Sequence, residues 1–147
     1  MGLVKTPSRS MPVLADASFF VALFNDREQG HTRCKAAYNA FAGPLFTAES
    51  CVTEALHLLG HARAAVEAIL TNVRQGALVV PFRLGDCASE IGYLMSKYAD
   101  TPCDFADACL IQLADQLETG NILTLDNDFK HYRWRRTRKF NMLIPLD

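Results

Sequence analysis

The sequence predicts an α/β fold in three layers, with a central, mainly parallel sheet covered by helices on both faces. Three observations lead there. Short apolar runs alternate with helical stretches along the whole chain. The runs are apolar throughout, as in strands buried on both faces. Acids stand just past the ends of two of them, at Asp16 and Asp126, where ligand sites collect in open α/β sheets.

Taken in order, residues 12–15 read as the first strand, and residues 17–25 as a short helix behind it. Residues 31–42 are helical, with Ala36, Ala37, Ala40 and Phe41 on one side, until Gly43-Pro44 breaks the pattern. Residues 45–48 give a second strand. Residues 52–59 and 63–74 form two helices, with Gly60 between them and Gly76 as the stop. Residues 78–80 are a strand of the buried kind, and residues 86–98 are helical. Thr101-Pro102 interrupts the chain before a helix over residues 105–118. Gly120 ends that helix, residues 121–125 run as a strand up to Asp126, and residues 140–146 supply the last strand. There is no internal repeat, low-complexity tract or linker. Residues 1–10 are expected to be a flexible N-terminal extension, and residues 11–147 a single domain.

With 147 residues, half of them hydrophobic, the chain is long enough to bury a core unaided. No apolar run reaches the ~18 residues of a membrane span, and no apolar signal core follows Lys5 and Arg9. A cytoplasmic protein without membrane contact is expected. The five cysteines (Cys34, Cys51, Cys87, Cys103, Cys109) are odd in number and contain no C-x-x-C pair. That sets aside a disulfide framework and a zinc site, and leaves reduced, mostly buried thiols. Net charge is −1, but residues 130–139 hold six of the fifteen basic side chains and no acid. The remainder carries nine bases against sixteen acids. An acidic body with one basic segment suggests an anionic partner, of which nucleic acid is the commonest large one.

The acids carry the chemistry. Asp16 and Asp126 end strands, Glu54 lies in the helix after the second strand, and Asp104 and Asp107 open the helix at 105–118. Each acid alone fits a structural role. Asp16 and Asp104 suit helix caps, Asp107 suits the positive end of a helix, and Asp126-Asn-Asp128 suits a turn. Gathered in one pocket, they would repel one another unless a hard divalent cation joined them. Mg²⁺ and Mn²⁺ prefer such oxygen ligands and bridge carboxylates to phosphates.

At these residues the chain resembles the PIN-domain nucleases, particularly the VapC-like toxins of toxin–antitoxin pairs, over residues 13–146. Val13-Leu-Ala-Asp16-Ala-Ser-Phe-Phe-Val-Ala-Leu-Phe-Asn25 is similar to the family's opening strand, first acid and following helix. Val52-Thr-Glu54-Ala-Leu-His-Leu-Leu resembles the segment with the family's glutamate, and Asp104-Phe-Ala-Asp107-Ala-Cys-Leu-Ile the segment with its third acid. Leu123-Thr124-Leu-Asp126-Asn-Asp128-Phe129 resembles the closing T-x-D-x-D-F motif. None of the four main acids departs from the pattern, and the first ten residues lie outside it. The resemblance implies a PIN-like α/β/α sandwich and Mg²⁺- or Mn²⁺-dependent endonucleolytic cleavage of RNA. Asp16, Glu54, Asp107 and Asp126 would hold the metal, with Asp104 and Asp128 as auxiliaries. Thr124 would orient a carboxylate or water by a hydrogen bond. The implied partners are RNA, a second copy of the chain and a small protein antitoxin.

In the basic segment, Lys130, Arg133, Arg135, Arg136 and Arg138 are candidates to hold phosphates. Tyr132 and Trp134 are candidates to stack on bases. Arg133 also suits a structural role. Other signals are weaker. Glu54-Ala-Leu-His57 has the E-x-x-H spacing of di-iron bundles, but a second pair is missing. His57 and His61 lie four apart without H-E-x-x-H, and neither G-x-G-x-x-G nor a P-loop occurs. A phospho-accepting receiver would need an acid after the third strand, where Pro81-Phe-Arg-Leu stands instead. The remaining alternative is a noncatalytic RNA-binding or interaction protein on the same fold.

Overall fold

The computed structural model describes residues 11–146, so the expected extension at residues 1–10 lies outside the described residues. The elements in chain order are β1 (Val13–Ala15), α1 (Ala17–Phe24), α2 (His31–Ala40), β2 (Leu45–Phe46), α3 (Glu49–Leu58), α4 (Arg63–Arg74) and β3 (Leu78–Val79). Then follow α5 (Ala88–Lys97), α6 (Phe105–Leu117), β4 (Asn121–Leu123), β5 (Arg133–Trp134), β6 (Arg138–Lys139) and β7 (Asn141–Met142). Five strands form one sheet in the order β3-β2-β1-β4-β7, and every pairing in it is parallel. The expected three-layer α/β arrangement is therefore present.

Side-chain alternation along the two central strands divides the interior in two. Leu14 and Ile122 point into a core with Ile91 of α5, with Leu110, Ile111 and Leu113 of α6, and with Phe129, Tyr132, Trp134 and Phe140. Val13, Ala15 and Leu123 point the other way, to Phe19 and Phe20 of α1, Cys34 of α2 and Ile69 of α4. Helix α6 buries seven of its thirteen residues, as expected of a helix enclosed by sheet and neighbours.

The strands are shorter than the apolar runs that announce them. The run at 121–125 pairs only as far as Leu123, because Thr124 turns its hydroxyl to Asp16. The run at 140–146 contributes only the short β7. The basic segment is more ordered than a loop. It forms a 3₁₀ turn, Asn127–Lys130, followed by the antiparallel hairpin β5–β6. At the hairpin's tip Arg135 and Arg136 both have left-handed backbones, with φ of 43° and 67°, a region that costs an L-residue roughly 1–2 kcal/mol.

Candidate active site

The parallel sheet places the site. β1 and β4 are neighbours, so the chain leaves both at the same edge, carrying Asp16 just past one end and Asp126 near the other. Helix α3 starts from that edge after β2. Helix α6 precedes β4 and ends toward its start, which leaves the α6 N-terminus at the same edge. Asp16, Glu54, Asp104, Asp107 and Asp126 consequently line one cleft, together with Ser18, Cys51 and Pro102. Asp128 sits half-buried beside it, in the turn after Asp126.

Asp16 is the most constrained of these acids. Its Oδ1 accepts the Phe19 N–H at 3.1 Å, capping α1, and the Ser18 hydroxyl at 2.6 Å. Its Oδ2 accepts the Thr124 hydroxyl. A carboxylate has about four lone-pair positions; three are taken, and one on Oδ2 is left. Capping and site membership are thus not alternatives, since the cap fixes the rotamer. Ser18 Oγ in turn accepts the Leu125 N–H at 2.9 Å, and Thr124 Oγ1 accepts the Asp126 N–H at 2.9 Å. The β1 and β4 ends are stitched together by hydroxyls around one buried acid.

Asp104 caps α6 by accepting the Asp107 N–H at 2.9 Å, and Asp126 accepts the Asp128 N–H at 2.9 Å. Asp107 itself accepts the Tyr132 hydroxyl on Oδ2 at 3.1 Å, a hydroxyl shared with the Pro102 carbonyl at 3.0 Å. Sequence reading missed Ser18 and Tyr132 as supports of the site. The Asp-x-Ser spacing was a usable signal for Ser18, whereas nothing local marks Tyr132.

The acids crowd one another. Burial, opposed in part by the hydrogen bonds from Ser18, Thr124 and Phe19, pushes the Asp16 carboxyl up to about 6. Burial and then the charges of Asp104 and Asp126 push Asp107 up to about 7. Glu54 is raised by burial and by the same two neighbours. Asp126 is raised by burial and by the Asp128 charge, against the pull of the Asp128 N–H. Among the described residues the ion pairs are Arg63–Glu67, Arg83–Asp86 and Arg135–Glu118, so none of the cleft acids has a basic partner.

An all-oxygen donor set without a counter-cation fits a hard divalent ion. Among the described residues no three potential ligands close on one point as a ready cage.

The basic segment is partly committed to the fold. Tyr132 is 0% and Trp134 7% exposed, so the expectation that these rings stack on bases is not met. The Trp134 indole donates to the Lys139 carbonyl, and Tyr132 packs edge-on against Tyr98 and Phe129. Arg133 donates to the Lys130 and Tyr132 carbonyls, closing the 3₁₀ turn. Arg135 pairs with Glu118, while Lys130, Arg136 and Arg138 are exposed. His57 and His61 are exposed neighbours with ring centroids 6.3 Å apart.

The family model described as PIN domain matches residues 13–135. The chain belongs to the PIN-domain family. It is 31% identical over 138 residues to Ribonuclease VapC26 of Mycobacterium tuberculosis (strain ATCC 25618 / H37Rv), a match covering 91% of this chain and 93% of that protein. Its fold is similar to that of the VapC20 structure from Mycobacterium tuberculosis, titled a Sarcin-Ricin loop cleaving toxin. The TM-score is 0.73 at 21% identity, over 86% of this chain and 98% of that one. The PIN-domain match spans all four of the main acids that line the cleft.

Proposed function

We propose that this PIN domain is a metal-dependent endoribonuclease that hydrolyses RNA phosphodiester bonds, the toxin of a toxin–antitoxin pair. The observation that carries the reading is the meeting of Asp16, Glu54, Asp107 and Asp126 around one cleft, where among the described residues none of them is ion-paired to a base. The family and the ribonuclease relative support it. The domain is taken as residues 11–147, and the four acids as those that hold Mg²⁺ or Mn²⁺, aided by Asp104 and Asp128. A bound ion would supply an activated water and offset charge on the phosphate.

The chain's own residues do the rest. Asp16 offers its one unoccupied Oδ2 position, held still by Thr124, Ser18 and the α1 cap. Asp107 is oriented by Tyr132. Metal-free, the collected charge repels phosphate from the cleft, which ties activity to the ion. A small protein antitoxin and a second copy of the chain are the partners this reading implies. A cytoplasmic setting fits it, and no described helix is long and apolar enough to cross a membrane.

The test is cleavage of a mixed RNA pool by partner-free protein with Mg²⁺, with Mn²⁺ and with EDTA, beside Asp16→Asn. Asparagine caps a helix as well as aspartate, so the variant keeps its fold. Metal-dependent cleavage lost in Asp16→Asn is the expected result. A folded wild type that cuts nothing would shift the assignment to a noncatalytic RNA-binding protein.

A further inference from the structure

The basic hairpin lies at the opposite end of α6 from the acids. Its first strand is anchored twice along that helix. Tyr132 gives its hydroxyl to Asp107 in the first turn, and the Arg135 N–H goes to Asp115 near the last. Asp115 stands eight positions after Asp107 on the helix, a rise of about 12 Å at 1.5 Å per residue. Tyr132 and Arg135 flank β5, so the strand lies against α6 and the Arg135 end of the hairpin sits beside Asp115, about 12 Å along the helix from Asp107.

What gathers at that tip is positive. Arg135 is spent on Glu118, but Arg136 and Arg138 are exposed and, among the described residues, have no ion pair. The Arg136 guanidinium lies over the half-exposed Tyr93 ring at 4.4 Å, and that of Arg138 over Trp134 at 5.1 Å. Lys97 of α5 joins them by donating to the Arg136 carbonyl at 3.2 Å. Asp115, half-buried, is the acid that Lys97 and Arg136 face, together with Arg135. A guanidinium held over a ring has less freedom left to lose, and its N–H edge suits a phosphate. Arg136 sits at φ 67°, where glycine would be at ease, as the turn of a tight hairpin requires.

We propose that Lys97, Arg136 and Arg138 form a docking surface for the sugar-phosphate of an RNA strand, separate from the cleft that cuts it. The proposal rests on the ribonuclease reading for the identity of the anion. The acidic cleft repels a polyanion, so a strand is best held away from it, and this pole stands on the very helix that presents Asp107. At roughly 3.4 Å of axis per phosphate in a stacked strand, about 12 Å corresponds to some four nucleotides between docking and cleavage positions. Trp134 and Tyr132 take no part, being buried; recognition is of backbone charge rather than of bases.

The experiment is fluorescence anisotropy of a labelled mixed-sequence 12-nucleotide RNA with the full chain in EDTA, across a salt series. Wild type is compared with Arg136→Gly, with Lys97→Ala/Arg136→Gly, and with Arg74→Ala on the far side of the sheet as a control. Glycine suits the left-handed backbone at 136, so folding is retained, and melting curves verify it. The double variant is expected to bind at least tenfold more weakly, with the salt slope reduced by about 1.4, two phosphates at ~0.7 each. The control should match wild type. An unchanged affinity and slope in the double variant would overturn the proposal, as would a wild type that fails to bind RNA in EDTA. Equally strong competition by polyglutamate would reassign the surface to an acidic protein segment. Cleavage in Mn²⁺ is scored separately: wild type that binds but does not cut fails the nuclease reading alone.

Discussion

The Tyr132 hydroxyl lies 3.1 Å from Asp107 Oδ2 and 3.0 Å from the Pro102 carbonyl oxygen. One phenol thus ties the third acid to the loop that leads into α6. It reaches the site from the aromatic core, where Tyr132 packs edge-on against Phe129 and Tyr98.

Tyr132→Phe keeps those ring contacts and removes the hydroxyl alone. Stability should fall by about 1 kcal/mol, the usual net worth of one hydrogen bond. Metal-dependent RNA cleavage should fall further, by an order of magnitude or more in kcat, since Asp107 then loses its orienting donor. Paired melting and steady-state measurements separate the two. Equal kcat in variant and wild type would show that Asp107 needs no such support.

Thr124→Val should be worse than Thr124→Ser. Valine is close in shape but strips Asp16 of a donor and leaves the Asp126 N–H without its acceptor, a cost of about 1–3 kcal/mol for the orphaned group. Serine retains both bonds. Denaturant midpoints at constant slope give the comparison, and activity should follow the same order.

Stability without metal should fall as pH rises from 4 toward 8. Asp16 at about 6 and Asp107 at about 7 are both raised above the ordinary 3.8. The folded state therefore binds more protons than the unfolded chain between those limits, and unfolding free energy declines with pH. For fully buried Asp16 alone this amounts to about 3 kcal/mol. Mg²⁺ or Mn²⁺ should reverse the trend, raising the melting temperature more at pH 8 than at pH 5. A flat metal-free profile would contradict the crowding of the acids.

Gly120→Ala should loosen the hairpin. A Cβ at that position collides with the Trp134 indole nitrogen, and the indole would have to leave its bond to the Lys139 carbonyl. Overpacking of this kind costs typically about 1–3 kcal/mol. Because β5 is held along α6, RNA affinity should drop together with the melting temperature, in contrast to Arg136→Gly.

The sheet and the acids were legible in the sequence because each rests on a local signal. An apolar run such as Val13-Leu14-Ala15 can only be buried, and an acid at its end can only lie at the sheet's edge. The run at 121–125 was overread because Thr124 looks like strand from its neighbours, yet its hydroxyl is claimed by Asp16, 108 residues away. The basic segment misled in the same way. Tyr132 and Trp134 sit among cations in sequence, but the chain twists them into the α6 core and turns the arginines out. Long-range contacts of this kind leave no trace at the spacing of neighbours.

The alternation of β1 has one more consequence. Leu14 belongs to one core, Val13 and Ala15 to the other, and Asp16 follows at once. Neither half can come apart without disturbing the strand they share. The amides of Leu14 and Ala15 should therefore exchange with solvent only through global unfolding. The wall of the acidic cleft that carries Asp16 is then as durable as the whole molecule.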